Sequence, residues 1–196
     1  MRKACLTLIA LAFIVSPASG ENVIARLDGE VMDAVRDGLK SPAMDFFMDG
    51  ITELGDEKAV MGISLLLSAF GEGREREAGK VNTVSFALAG GSVFILKRAI
   101  GRERPDGSDR LSFPSGHAAF AFSTAVVLGS YYPRLKLPLY ALASLVTLSR
   151  VYLERHYPSD VLAGAIVGAI SARISLALRD RITDLSLTRL IRGGGG

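Results

Sequence analysis

Five apolar stretches at 59–70, 81–96, 118–132, 137–153 and 161–178 follow one another along the chain, each bounded by charge, proline or glycine. Nearly half the residues, 49%, are hydrophobic while 22% are charged, so the apolar side chains must cluster rather than alternate with the charges. The stretches lie near or below the ~17–25 residues of a membrane-crossing helix, and 59–70 is clearly short. A chain patterned this way has to bury helix against helix. The expected fold is therefore all-α, a bundle of about five core helices that is transmembrane. Gly164 and Gly168 stand four apart in the last stretch, the small-residue spacing that lets helix backbones approach closely in lipid. The same spacing also serves close packing in a water-soluble bundle.

Around this bundle the chain divides further. Residues 1–20 carry a positive start at Arg2 and Lys3, a short apolar run and small residues at Ala18, Ser19 and Gly20. That pattern is a secretory signal peptide or, uncleaved, a first membrane anchor. Residues 21–54 are amphipathic. Val23, Ile24, Leu27, Val31, Val35 and Leu39 recur at helical spacing with acids and Arg36 between them, which predicts a surface-lying helix. Ser41-Pro42 stops it, and 43–54 predicts a second short helix. Neither carries legible chemistry. The bundle itself is expected over 55–180, followed by a tail at 181–196 whose last four residues are glycine.

Charge placement suggests a topology. Arg74, Arg76 and Lys80 in an expected loop at 71–80, Arg134 and Lys136 in a turn at 133–136, and Arg173, Arg179, Arg181, Arg189 and Arg192 in the tail fall on one side of a five-span bundle. Basic residues favour the cytoplasm. Segments 97–117 and 150–160 then share the opposite face, with the exported N-terminal region. The expected location is a bacterial inner membrane with the site toward the periplasm, or the soluble periplasm if the short helices do not span. Segment 97–117 is itself basic, against a pure charge count, and that excess is read as ligand binding. A net charge of +3, interspersed with acids, gives no nucleic-acid footprint. The single cysteine, Cys5, forms neither an intrachain disulfide nor a cysteine-rich metal site. Oligomeric state leaves no trace in the sequence.

The chemistry gathers on the exported face. Both histidines of the chain, His117 and His156, lie there among groups suited to phosphate. Arg104 and Arg150 offer planar, permanently charged forks, and Lys97 a mobile point charge. Pro114-Ser115-Gly116-His117 precedes an apolar helix. Ser115 is placed to cap it, and the free N–H groups near Gly116 and His117 would face an anion. Pro158 suits the first position of another helix, with Asp160 in its first turn. That spacing brings the Asp160 carboxylate toward the imidazole of His156, where it would fix the tautomer and leave the other ring nitrogen free to attack. Taken singly, each feature has an ordinary reading as turn, surface pair or topological charge. Arg98, Arg102 and Arg110 keep that reading, as solvated charges.

Together, Lys97 to Arg104-Pro105, Pro114 to His117, and Ser149-Arg150 through His156 to Asp160 resemble the three motifs of the type-2 phosphatidic acid phosphatase family, with no motif position altered. That family shares a superfamily with bacterial acid phosphatases and vanadium haloperoxidases. The resemblance covers 97–160 by motif and roughly 55–178 by helical layout, and leaves 1–54 outside. It implies that His156 attacks phosphorus while Asp160 orients it, and that His117 protonates the leaving oxygen and later activates water. Lys97, Arg104, Ser115, Gly116 and Arg150 would hold the phosphoryl oxygens, with no metal or other cofactor. The implied substrate is a lipid phosphate or diphosphate presented by the bilayer, such as phosphatidate, phosphatidylglycerol phosphate or undecaprenyl diphosphate. A soluble periplasmic acid phosphatase with the same site is the alternative. A vanadate-dependent haloperoxidase is disfavoured by the short chain. A non-catalytic phosphate binder would need neither histidine.

Overall fold

The computed structural model describes residues 23–184. The expected signal or anchor at 1–20 and the glycine tail lie outside the described residues. Within them the chain is α-helical, with no strand: α1 (Val23–Gly38), α2 (Pro42–Glu53), α3 (Glu57–Phe70), α4 (Gly73–Ile100), α5 (Gly116–Tyr131), a 3-10 turn (Pro133–Leu135), α6 (Lys136–Tyr152), α7 (Pro158–Ala177) and α8 (Arg179–Asp184). Local sequence sets most of the ends. Ser41 caps α2 and Asp56 caps α3 by accepting backbone N–H groups of Met44 and Lys58. Gly101 takes a left-handed conformation, φ 61°, which closes α4 and redirects the chain.

Helix α5 is central and packs against α3, α4, α6 and α7. Helix α2 lies on α6, and α1 bridges α6 and α7. The charged segment 71–80, expected as a loop, is mostly the opening turns of α4. Gly71-Glu72-Gly73 makes the turn, no proline follows it within the segment, and Gly79 lets α4 press against the backbone of Leu67 and Ser68. Its 28 residues make a helix of about 42 Å, longer than the ~30 Å hydrocarbon core of a bilayer. Helices α4 and α7 have the length and composition to cross a membrane; α3, α5 and α6 are shorter.

Side chains are sorted as lipid demands. On α7, Leu162, Ile166, Ile170 and Ile174 form an exposed stripe, while Gly164, Gly168, Ser171, Ala172 and Ser175 are buried. Ser64, Asn82, Ser85 and Ser123 are also buried, while Leu65, Leu66, Phe94 and Ile95 face outward. The buried hydroxyls of Ser64, Ser171 and Ser175 return hydrogen bonds to carbonyls of their own helices, at 2.7, 2.9 and 3.0 Å. Where the surrounding solvent is as apolar as leucine, small residues go inside because they allow close backbone contact, and large apolar ones lose nothing outside. Helix α1 also keeps apolar residues outward: Asp28, Met32 and Val35 form its buried line, while Val23, Leu27 and Val31 stay exposed. Met32 and Val35 join a core cluster with Ala118, Val151, Tyr152 and Val161, so α1 is packed into the bundle and does not merely lie on it.

Candidate active site

Three motif segments meet at one end of the bundle. Lys97 lies in the last turn of α4, and its ammonium donates to the Leu111 carbonyl. The chain then loops through Arg104 to Ser115. Ser115 is the N-cap of α5: its Oγ accepts from Ala118 N at 3.4 Å, and its own N–H donates to the Asp160 carbonyl at 3.0 Å. Gly116 and His117 open the helix, where unpaired N–H groups favour an anion. Arg150, in the last turn of α6, is buried, and its Nη1 donates to Thr52 Oγ1 at 2.8 Å. Its Nε has no partner. The Arg150 carbonyl accepts from the N–H groups of Arg155 and His156 at 3.0 and 3.2 Å, which folds the segment back toward α7. Pro158 starts α7, and Asp160 lies in its first turn.

These elements converge on His156, which is 2% exposed. Its Nε2 stands 3.2 Å from Arg104 Nη1. A guanidinium has donors and no acceptor, so the neutral ring must present its Nε2 lone pair there and carry its proton on Nδ1. Nδ1 faces Asp160 Oδ2 at 3.9 Å, electrostatic range but too long for a hydrogen bond, and has no other partner. Burial pushes the imidazole down to about 4, against the pull of the Asp160 carboxylate and with the help of the Lys97 and Arg104 charges. The ring is thus neutral near pH 7. Asp160 is itself firmly held. Its Oδ2 accepts from Tyr157 N at 2.9 Å and from the Ser112 hydroxyl, and its Oδ1 accepts from Arg102 Nη1 at 2.7 Å. His117 is half-buried and within electrostatic reach of Arg150, His156, Asp56 and Lys97. Arg104 is further fixed by Asp109 at 2.8 Å and by the Arg155 carbonyl at 2.9 Å.

The sequence reading missed a layer behind these groups. Arg102, expected as a solvated charge, is only a fifth exposed and spans two carboxylates, Asp160 and Asp28, at 2.7 Å each. It also donates to Ser159 Oγ at 2.7 Å and lies 4.0 Å over the Tyr157 ring. Arg98 and Arg110 do remain exposed. The N-terminal helices, read as lacking chemistry, supply Asp28 from α1 and Thr52 from α2. Helix α1 and the link after it also pin the loop before His156: Arg36 and Lys40 hold Glu154 at 2.6 and 3.4 Å, and Arg36 keeps that carboxyl below its usual range. Glu154 adopts φ 56°, a strained conformation for a side chain with a Cβ. The one available signal was register, since Asp28, Met32 and Val35 share a helix face that a polar residue should not line without a buried partner.

A family model described as the PAP2 superfamily matches residues 81–184. Over 126 residues the chain is 38% identical to the lipid A 1-phosphatase of Porphyromonas gingivalis, a match covering 60% of this chain but only 28% of that protein. Over 149 residues it is 33% identical to the decaprenylphosphoryl-5-phosphoribose phosphatase of Mycobacterium tuberculosis, covering 71% of this chain and 83% of that one. Among solved structures, LpxE of Aquifex aeolicus superimposes with a TM-score of 0.68 at 28% identity, over 77% of this chain and 95% of that chain. A transmembrane PAP2-type phosphatidylglycerolphosphate phosphatase from Bacillus subtilis superimposes with a TM-score of 0.76 over 95% of this chain and 100% of that one. At 24% identity, that likeness is one of fold.

Proposed function

The chain belongs to the PAP2 superfamily, and from that premise we propose that it is a membrane-embedded phosphatase that hydrolyses a lipid phosphate or diphosphate through a phosphohistidine on His156. One observation carries the reading: a buried, neutral His156 turns its Nε2 lone pair toward the Arg104 guanidinium. A phosphoryl oxygen drawn to Arg104 would bring phosphorus to that lone pair. Lys97, Arg150 and the N–H groups of Gly116 and His117 surround the same end of the bundle and suit the remaining oxygens, while the Ser115 N–H is taken by the Asp160 carbonyl.

In the first step the Nε2–phosphorus bond forms as the bond from phosphorus to the leaving oxygen breaks. His117, protonated as the bound phosphate offsets the neighbouring Arg150 and Lys97 charges, delivers a proton to that oxygen as acid. The positive charge appearing on the His156 ring is stabilised by Asp160, which lies on its Nδ1 side. In the second step His117, now neutral, takes a proton from water while the water oxygen attacks phosphorus and Nε2 leaves. Inorganic phosphate and the dephosphorylated lipid are the products. The charge change is met by fixed cations and helix-end dipoles.

The outward apolar faces of α4 and α7 support a lipid substrate in the bilayer over a soluble periplasmic one. The relatives act, by name, on lipid A and on a decaprenyl-linked phosphate, both lipid phosphates. The distribution of basic residues, with the 97–117 segment as its exception, supports orientation toward the periplasm. The test is phosphate release in detergent micelles from phosphatidate, phosphatidylglycerol phosphate and undecaprenyl diphosphate, with acid-quench trapping of labelled enzyme. His156→Ala is expected to give no phosphoenzyme. His117→Ala should form it slowly, and least slowly from p-nitrophenyl phosphate, whose leaving group needs no proton. Full turnover in His156→Ala would overturn the assignment.

A further inference from the structure

Asp28 lies on α1, outside the residues 81–184 that carry the family match, and is 3% exposed. Its Oδ1 accepts the Ser159 N–H at 2.9 Å. Its Oδ2 accepts from the Ser159 hydroxyl and from Arg102 Nη2, the latter at 2.7 Å. The other arm of the same guanidinium, Nη1, holds Asp160 Oδ1. One arginine is therefore shared between a carboxylate of the site and a carboxylate of the N-terminal helix. We propose that Asp28 is a positioning residue for phosphoryl transfer: through Arg102 and Ser159 it fixes the Asp160 carboxylate and sets how much of its charge is left for His156.

The electrostatics give the proposal its direction. Asp160 faces a cation on one side, Arg102, and an imidazole on the other. With Asp28 in place, Arg102 is shared between two anions. Without the Asp28 charge, the whole guanidinium charge falls on Asp160, which then stabilises the developing imidazolium less well. Asp28 also binds the first-turn backbone of α7 at Ser159, next to Asp160, so the same group restrains the position of that carboxylate. Among the described residues the hydrogen bonds and ion pairs of the Asp28 side chain go to Arg102 and Ser159 and to none of Lys97, Arg104, Ser115 or Arg150, so the groups proposed to hold phosphate should be indifferent to it.

The inference rests on His156 being the nucleophile, and the experiment separates the two. Asp28→Asn keeps the shape and removes the charge. In the full chain in detergent, with phosphatidate as substrate, its kcat should fall on the order of 10-fold, the lower end of what loss of an outer partner costs a metal-bound histidine, at unchanged KM. The imidazole of His156, followed by nitrogen NMR in histidine-labelled protein, should titrate lower than in the wild type. Arg102→Ala should lower kcat through lost positioning of Asp160 while, with that cation gone, the His156 imidazole titrates higher and not lower, and adding Asp28→Asn to it should cost less than twofold more. If Asp28→Asn does not fold, Ser159→Ala, which removes only the hydroxyl between Asp28 and Arg102, should lower kcat in the same sense. A kcat within twofold of wild type would refute the proposal. So would a raised KM at constant kcat, or losses in Arg102→Ala and Asp28→Asn that simply multiply. Turnover retained in His156→Ala would instead defeat the nucleophile assignment, and the positioning role with it.

Discussion

Gly164→Ala tests whether the contact between α5 and α7 sets the geometry of the site. A Cβ built on Gly164 stands 2.3 Å from the Ser115 carbonyl oxygen and 3.1 Å from Ala118 Cβ. Backbone cannot yield as a side-chain tip does, so the two helices must part by roughly 1 Å to restore ordinary contact. Ser115 caps α5 one residue before the N–H groups proposed to face phosphate, and its own N–H is bonded to the Asp160 carbonyl at 3.0 Å. A 1 Å retreat of α7 would break that bond and draw Asp160 and His156 away from His117 and Gly116. Overpacking of this kind costs about 1–3 kcal/mol of stability. A 1 Å misplacement at a reacting centre costs on the order of 100-fold in rate. The expected result is thus a folded protein with kcat/KM for a micellar lipid phosphate down by about two decades. Gly91→Ala, where a Cβ meets nothing within 4 Å, is the control and should keep wild-type activity. Wild-type turnover in folded Gly164→Ala would refute the claim that helix approach positions the site.

Thr52→Val removes the hydroxyl that receives Arg150 Nη1, in an arginine whose Nε already has no partner. At about 1.5 kcal/mol for a hydrogen bond to a charged group, KM should rise roughly tenfold, and an unchanged KM would show that Arg150 is held by other means. The His156 imidazole, resolved by nitrogen NMR with His117→Gln to assign it, should titrate near 4 and not near 6.5. Because the folded value lies below the unfolded one, the stability gained from a neutral ring is complete above pH 6.5 and is lost as pH falls toward 4. A midpoint at or above 6.5 would mean that Asp160, not burial, dominates. Asn82→Ala removes hydrogen bonds to Ser64 and Thr124 about 22 Å along α4 from Lys97, and should lower thermal stability by about 1 kcal/mol with turnover intact.

Much of the local organisation was legible because it depends on local chemistry. Ser115 as a cap, Pro158 as a helix start and Asp160 one turn after His156 all follow from residues within four positions of one another. The apolar stretches marked the bundle for the same reason. The extent of α4 was misjudged because charge was read as a loop, whereas a charged helix extending beyond the bilayer breaks no physical rule. Arg102 was misread because an arginine outside a recognisable motif has no local sign of its partners. Asp28 and Asp160 are 132 residues apart in the sequence, and nothing in either segment points to the other.

By itself, the sequence determined an all-helical chain with apolar segments, two histidines among phosphate-type ligands, and membership of a superfamily that uses such groups. Only the tertiary structure decided that α1 and α2 belong to the same constellation, that Arg102 joins a remote carboxylate to Asp160, and that the lone pair of His156 faces Arg104. The physical reason is that caps and helix starts are settled by a few neighbouring residues. The worth of a buried charge depends on which partner packing brings to it, and packing is a property of the whole bundle.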